Sequence, residues 1–163
     1  MNPYVVIDIG GTSIKYGLAD AEGQLIETHE MPTEAQKGGP HILKTTKEIV
    51  ARYLKKHALA GVAISSAGMV DPDKGEIFYA GPQIPNYAGT QFKKEIEEAF
   101  QLPCEIENDV NCAGLAEVTT GHAIGSNNAV CLTIGTGIGG CLLLDGQVFH
   151  GFSNSACEVG YLH

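Results

Sequence analysis

Basic residues are scarce in this sequence. Its 163 residues include 10 Lys and Arg against 19 Asp and Glu, a formal net charge of −9. A surface that neutralises a nucleic-acid backbone needs clustered cations, so nucleic acid is not expected as the main partner. Phosphate ligands stay open, because backbone N–H groups and a metal ion neutralise those without basic side chains. No apolar run reaches bilayer-spanning length, so no membrane partner is expected either. The five cysteines (Cys104, Cys112, Cys131, Cys141 and Cys157) contain no C-x-x-C pair. The opening Met-Asn-Pro-Tyr-Val-Val lacks the basic n-region and long apolar core of a secretory leader. Free thiols in a reducing cytoplasm are therefore the expectation. Six histidines are scattered without metal-ligand spacing, and His29, His41 and His57 read as surface residues. The G-x-x-x-x-G-K-[ST] phosphate loop is absent as well.

What the chain has in abundance is glycine: 21 residues, gathered at motif positions rather than in a low-complexity tract. With 44% hydrophobic and 18% charged residues it reads as a soluble globular protein. Tyr4 to Ile9, Ile14 to Ala19 and Gln24 to Met31 read as three short strands joined by tight loops. Apolar residues at 42, 43, 49, 50, 53 and 54 predict one helix between Gly38 and His57. A buried strand is predicted over Gly61 to Ala67. Gly68 to Gly89 is loop with a short hairpin near Glu76 to Tyr79. A helix follows around Phe92 to Phe100 with Thr90 as its cap, then a strand at Cys104 to Glu107. The next helix, Asn108 to Thr120, is ended by Gly121. Three strands followed by alternating helices and strands imply an α/β layer fold with a mixed sheet.

One supersecondary unit occurs twice. Val5 to Thr12 leads into Ile14 to Asp20, and Val130 to Gly137 leads into Ile138 to Asp145. Each copy is a strand, a Gly/Thr loop, a second strand and an Asp/Gly turn. Two similar domains are implied, residues 1–120 and 121–163. The second holds one hairpin and a loop, too little to close a layered core, and is expected to be truncated.

A glycine-rich loop between strands lets backbone N–H groups approach an anion closely. Gly10, Gly11 and Thr12 form one such loop, and Gly135, Thr136 and Gly137 the other. Asp8 stands where a carboxylate could hold Mg²⁺ through water, as phosphoryl transfer requires. In isolation a plain hairpin turn is the better reading of Gly10-Gly11; the second matching loop, Gly135 to Gly140, reverses that in favour of phosphate. Glu107-Asn108-Asp109 sits at a strand-to-helix junction, where a carboxylate is stabilised in its charged form and a ligand can reach it. An ordinary N-cap at Asn108 or Asp109 fits the same residues. Glu158 lies in a Gly/Ser/Asn-rich loop and reads locally as a surface glutamate.

Taken together, these residues resemble the ROK family of sugar kinases and sugar-responsive repressors, within the actin/hexokinase-like (ribonuclease H-like) ATPase superfamily. The resemblance rests on Asp8-Ile9-Gly10-Gly11-Thr12, on Glu107 to Ala113, on Gly135 to Gly140 and on Glu158-x-Gly160, in register along the whole chain. It implies an actin/hexokinase-like mixed-sheet domain plus the start of a second, similar one. Asp8 to Thr12 and Gly135 to Gly137 would flank the phosphates of ATP, with Lys15 near the first loop. Asn108, Asp109 and Glu158 would contact sugar hydroxyls, joined by Asn86 and the backbone of Gly68. Asp109 would be the catalytic base. Many members carry a zinc-binding histidine three positions after the glutamate; this sequence has Tyr161 there. No zinc ligand is assigned, and His163 is not taken as a substitute.

ATP, Mg²⁺ and a small sugar are thus the implied cofactors and substrate, in a cytoplasmic kinase that forms a homodimer when complete. The fragment alone is expected to be a poor enzyme, since most of the adenine pocket would lie in the remainder. A sugar-sensing regulator is the second reading. The first loop begins within ten residues of Met1, which leaves no room for a preceding helix-turn-helix and favours the kinase. An actin-like ATPase without a sugar is the third, opposed by Asn108, Asp109 and Glu158 only through the resemblance.

Overall fold

The computed structural model describes residues 2–135 and 137–161. Strands β1 (Tyr4–Ile9), β2 (Ser13–Ala19) and β3 (Leu25–Pro32) form an antiparallel meander, as predicted. Helix α1 (Gly39–Leu54) then crosses to β4 (Gly61–Ser66), which pairs parallel with β1. A hairpin of β5 (Met69–Asp71) and β6 (Glu76–Tyr79) precedes helix α2 (Phe92–Phe100) and β7 (Cys104–Asn108). The main sheet is mixed, in the order β3-β2-β1-β4-β7.

Alternation explains how this sheet finds its core. Val5, Ile7 and Ile9 of β1, Ile14, Tyr16 and Leu18 of β2, and Val62 and Ile64 of β4 share one buried face. Helix α1 covers it with Ile42, Ile49, Val50 and Tyr53, while Leu43 and Leu54 are only half-buried at the margin of the stripe. Two threonines complete the helix's buried face, and Thr46 satisfies its hydroxyl on the Ile42 carbonyl at 2.9 Å. Tyr87 and Phe92, both buried, meet edge-to-face at 6.0 Å.

Two predicted helix ends differ from the sequence reading. Thr90 does not cap α2: its hydroxyl donates to the Tyr87 carbonyl at 2.6 Å, and Gln91 takes the N-cap position without a side-chain cap. At α3 (Asp109–Thr119), Thr120 occupies the C-cap. Gly121 follows without the left-handed conformation of a terminating glycine; a side chain there would collide with Glu117.

The chain divides into two compact units, Met1–Glu107 and Asn108–His163. In the second, β8 (Ala129–Ile134), β9 (Ile138–Leu144) and β10 (Gln147–Val148) form an antiparallel sheet. Helix α3 packs on β8 and β9 and so goes with this sheet. Asp145 and Gly146, both at positive φ, make the tight turn from β9 to β10 that an Asp-Gly pair favours. Among the described residues no disulfide joins the cysteines; burial pushes the Cys104 thiol up to about 12. Among the described residues, no helix is long and apolar enough to cross a membrane.

Candidate functional site

In the first unit, strand pairing assembles the polar residues around the first loop. Asp8 and Lys15 are direct cross-strand partners, and Ser65 is Asp8's partner on the other side. All three lie on the sheet face opposite α1, because they alternate with Ile7, Tyr16 and Ile64. The Ser65 hydroxyl donates to Asp8 Oδ1 at 2.7 Å, which orients a half-buried carboxylate. The loop closes with Gly10 N–H donating to the Ser13 carbonyl at 3.0 Å. Buried Thr33 braces it twice: its hydroxyl donates to the Gly10 carbonyl at 2.6 Å and its N–H to the Thr12 carbonyl at 3.0 Å. Gly11 and Thr12 are exposed, and among the described residues their amides make no backbone hydrogen bond.

Gly68 leaves β4 at the same sheet edge, since the Ala67 amide donates to the Ile9 carbonyl at 2.9 Å. Gly68 has φ +92°, with the Tyr79 carbonyl 3.0 Å from where a Cβ would stand, so only glycine fits there. Asn86 is exposed in the left-handed conformation. Its loop is tied to the start of α1 by Gly39 N–H donating to the Pro85 carbonyl at 2.9 Å. A second tie joins the Tyr87 hydroxyl to Ser66 Oγ at 2.6 Å.

The second unit brings Asn108, Asp109 and Glu158 together. Asn108 caps α3: its Oδ1 accepts from Val110 N at 2.9 Å and Asn111 N at 3.2 Å. Asp109 opens the first turn, where the helix dipole favours its charge, and Oδ1 accepts from Val110 N at 2.9 Å. The capping role anticipated for this motif is thus real at Asn108, and it leaves Asp109 as the first-turn carboxylate. Glu158 is carried on a segment that folds onto β9: Gly140 makes room for the Cys157 carbonyl and Val159, and Gly160 for the Ile138 carbonyl. Partial burial, then the neighbouring Asp109 charge, hold the Glu158 carboxyl above its usual range.

The β8–β9 loop repeats the first with one difference. Gly135 N–H donates to the Gly137 carbonyl at 2.9 Å, a three-residue closure. Thr136 lies outside the described residues, as does His163. Nothing stands within 4 Å of a Cβ added at Gly11, Gly135 or Gly137, and none of the three has positive φ. Neither packing nor backbone conformation requires glycine there. Gly139 differs, because a Cβ would strike Val110 of α3.

Residues 4–163 match the ROK family. The chain belongs to the ROK family. An uncharacterised Clostridium perfringens protein is 54% identical over 162 residues, which cover 99% of this chain and 55% of that protein. A glucokinase of Halalkalibacterium halodurans is 32% identical over 98% of this chain and 49% of its own length. Among solved structures, a ROK family glucokinase of Streptomyces griseus in complex with glucose and AMPPNP superimposes with a TM-score of 0.86. It is 30% identical, across 99% of this chain and 50% of that one. The chain therefore spans about half the length of these relatives and corresponds to their N-terminal portion. Its fold is that of the actin/hexokinase-like ATPases.

Within this ROK chain, two residues at the first loop escaped the sequence reading. Ser65 lies within a strand read only as buried and apolar; the signal was its place directly across from Asp8 once β1 and β4 pair in parallel. Thr33 lies beyond the third strand, and nothing local marks a brace reaching back 23 residues.

Proposed function

We propose that this chain carries the first half of an ATP-dependent kinase acting on a hexose or amino-hexose hydroxyl, with Asp109 as the general base. What supports it most is the carboxylate pair of the second unit. Asp109 is stabilised as an anion at a helix N-terminus, while Glu158 is half-buried beside it and holds its proton more tightly. Two neighbouring carboxyl groups in unlike environments suit one to accept a proton and the other to hydrogen-bond hydroxyls.

In the proposed reaction the sugar hydroxyl oxygen bonds to the γ-phosphorus as the bond to the bridging β–γ oxygen breaks. The hydroxyl proton passes to Asp109 and ADP leaves. Asn108 and Glu158 orient the sugar, with Asn86 and the Gly68 backbone as further contacts. Gly10, Gly11 and Thr12 on one loop with Lys15 of the following strand, and Gly135, Thr136 and Gly137 on the other loop, receive the phosphates. The ungoverned glycines at 11, 135 and 137 support this, since an exposed backbone without Cβ admits an anion closely. Asp8 fits a water-mediated Mg²⁺, its carboxylate oriented by Ser65 and partly exposed; the ion would neutralise phosphate charge.

The test is sugar-dependent ADP release from Mg-ATP. The sugars are glucose, N-acetylmannosamine, N-acetylglucosamine, fructose and β-glucosides. The assay is run on the chain alone and on the chain continued with the C-terminal half of the Clostridium perfringens relative. Turnover with at least one sugar in the joined protein supports the reading. Tight sugar binding without turnover points to a sensor, and neither binding nor turnover overturns the proposal.

A further inference from the structure

A polar cavity lies in the first unit, on the α1 face of the main sheet and thus on the face opposite Asp8 and Lys15. It encloses about 270 Å³ between the last turn of α1 and strands β2 and β3. Arg52 and Lys56 line one side and Glu27 of β3 another, with the rings of Tyr16 and Tyr53 in the wall.

Three observations set this cavity apart. First, in a chain of net charge −9, the cavity gathers two cations, Arg52 and Lys56. Like Lys15, Lys55 and Lys94, they have no carboxylate within 4 Å among the described residues, whereas Lys37, Lys44, Lys47, Lys74 and Lys93 are paired. Second, Arg52 is held in place: its Nη1 donates to the Tyr16 hydroxyl at 3.0 Å, and its guanidinium carbon lies 5.8 Å from that ring's centre. The remaining guanidinium N–H groups keep the planar fork that suits a phosphate. Third, the Tyr53 hydroxyl is buried with no hydrogen-bond partner. Glu27 faces it closely enough to raise its pKa, after burial itself, without a hydrogen bond of good geometry forming between them. A buried hydroxyl left unsatisfied is costly and calls for a water or a ligand group.

Cations at the C-terminal end of a helix also favour the helix dipole, and that alone explains a lysine such as Lys55. It does not explain a recess lined by a carboxylate and two tyrosine rings as well as the two cations. We propose that this cavity binds a small phosphomonoester of a polyol. The phosphate lies on Arg52 and Lys56, the carbon chain lies against the tyrosine rings, and a hydroxyl donates to Glu27. A bare phosphate satisfies only the cationic side, and a neutral polyol only the acidic one. The proposal stands independently of the kinase reading, because the residues involved belong to the other sheet face.

Isothermal titration of the 163-residue chain tests it, with glycerol 3-phosphate, inorganic phosphate and glycerol as probes. Saturable one-site binding of glycerol 3-phosphate is expected, weaker binding of inorganic phosphate and none of glycerol. Lys56→Glu and Arg52→Gln, both at exposed positions, are each expected to weaken the ester ~10-fold, the loss of one charge-assisted contact. Lys55→Glu makes the same charge change as Lys56→Glu outside the wall and is expected to shift affinity less than about twofold. Circular dichroism of each variant checks folding. No saturable heat up to about 10 mM ester, a weak binding range on the affinity scale, overturns the proposal. So does an equal loss in Lys55→Glu, which marks general charge attraction. Inorganic phosphate binding as tightly as the ester overturns the ester assignment.

Discussion

Substitution can separate the cap that Asn108 provides from the sugar contact proposed for it. Its side-chain oxygen accepts from two backbone amides at the start of α3, and the proposed function adds a sugar hydroxyl. Replacing a cap of this kind by alanine costs about 1 kcal/mol, within a range of ~0.5–2. For a chain of this size that is a fall of about 2–4 °C in the unfolding midpoint per kcal/mol. Serine is a comparable cap, so Asn108→Ser is expected to keep stability within about 0.5 kcal/mol of the parent. Thermal unfolding followed by circular dichroism reads both variants. In the protein joined to the relative's C-terminal half, Asn108→Ser is still expected to lose sugar affinity by ~10-fold, since the amide is gone. An alanine variant as stable as the parent, or a serine variant as damaged as the alanine, refutes the cap. Unchanged sugar affinity in Asn108→Ser refutes the contact.

Thr33→Val keeps the shape but removes the hydroxyl from the Gly10 carbonyl; a loss of about 1 kcal/mol in urea unfolding is expected. Gly139→Ala drives a methyl into Val110 and is expected to cost ~1–3 kcal/mol. Gly137→Ala, in open space, is expected within about 0.5 kcal/mol of the parent while weakening nucleotide binding. Glu158 has a raised pKa in the folded state, so above that value its buried charge costs stability and below the ordinary value of 4.5 the cost is gone. Glu158→Gln is therefore expected to stabilise at pH 7, with an advantage that shrinks as pH falls through the raised pKa towards 4.5. An advantage that persists unchanged at low pH contradicts the assignment.

The meander, α1, the β5–β6 hairpin and the second hairpin were legible because alternation and helical spacing are local. Val5, Ile7 and Ile9 announce a buried strand face, and Asp145-Gly146 announces its turn. Caps were less legible. Thr90 is a good capping residue by type, but the Tyr87 carbonyl claims its hydroxyl, and that geometry belongs to the fold of the 84–90 loop. The two glycine loops and the Asn108-Asp109 junction were picked out by residue type and position, and their proposed roles by the family resemblance. Their supports, Ser65 beside Asp8 and Thr33 behind Gly10, arise from strand pairing and long-range closure, which no window of sequence contains. The cavity at Arg52 was invisible for the same reason. His29 and His57 read as surface residues, and it is the folding of α1 over β2 and β3 that brings both to the lining of that cavity.

Kinetics of Asp109→Asn in the protein completed with the relative's C-terminal half bear most directly on the proposed mechanism. Sugar binding is expected to persist while kcat for sugar-dependent ADP release falls ~10²–10⁴-fold, the usual worth of a general base. A near-normal kcat in that variant would remove Asp109 from the chemistry and contradict the account.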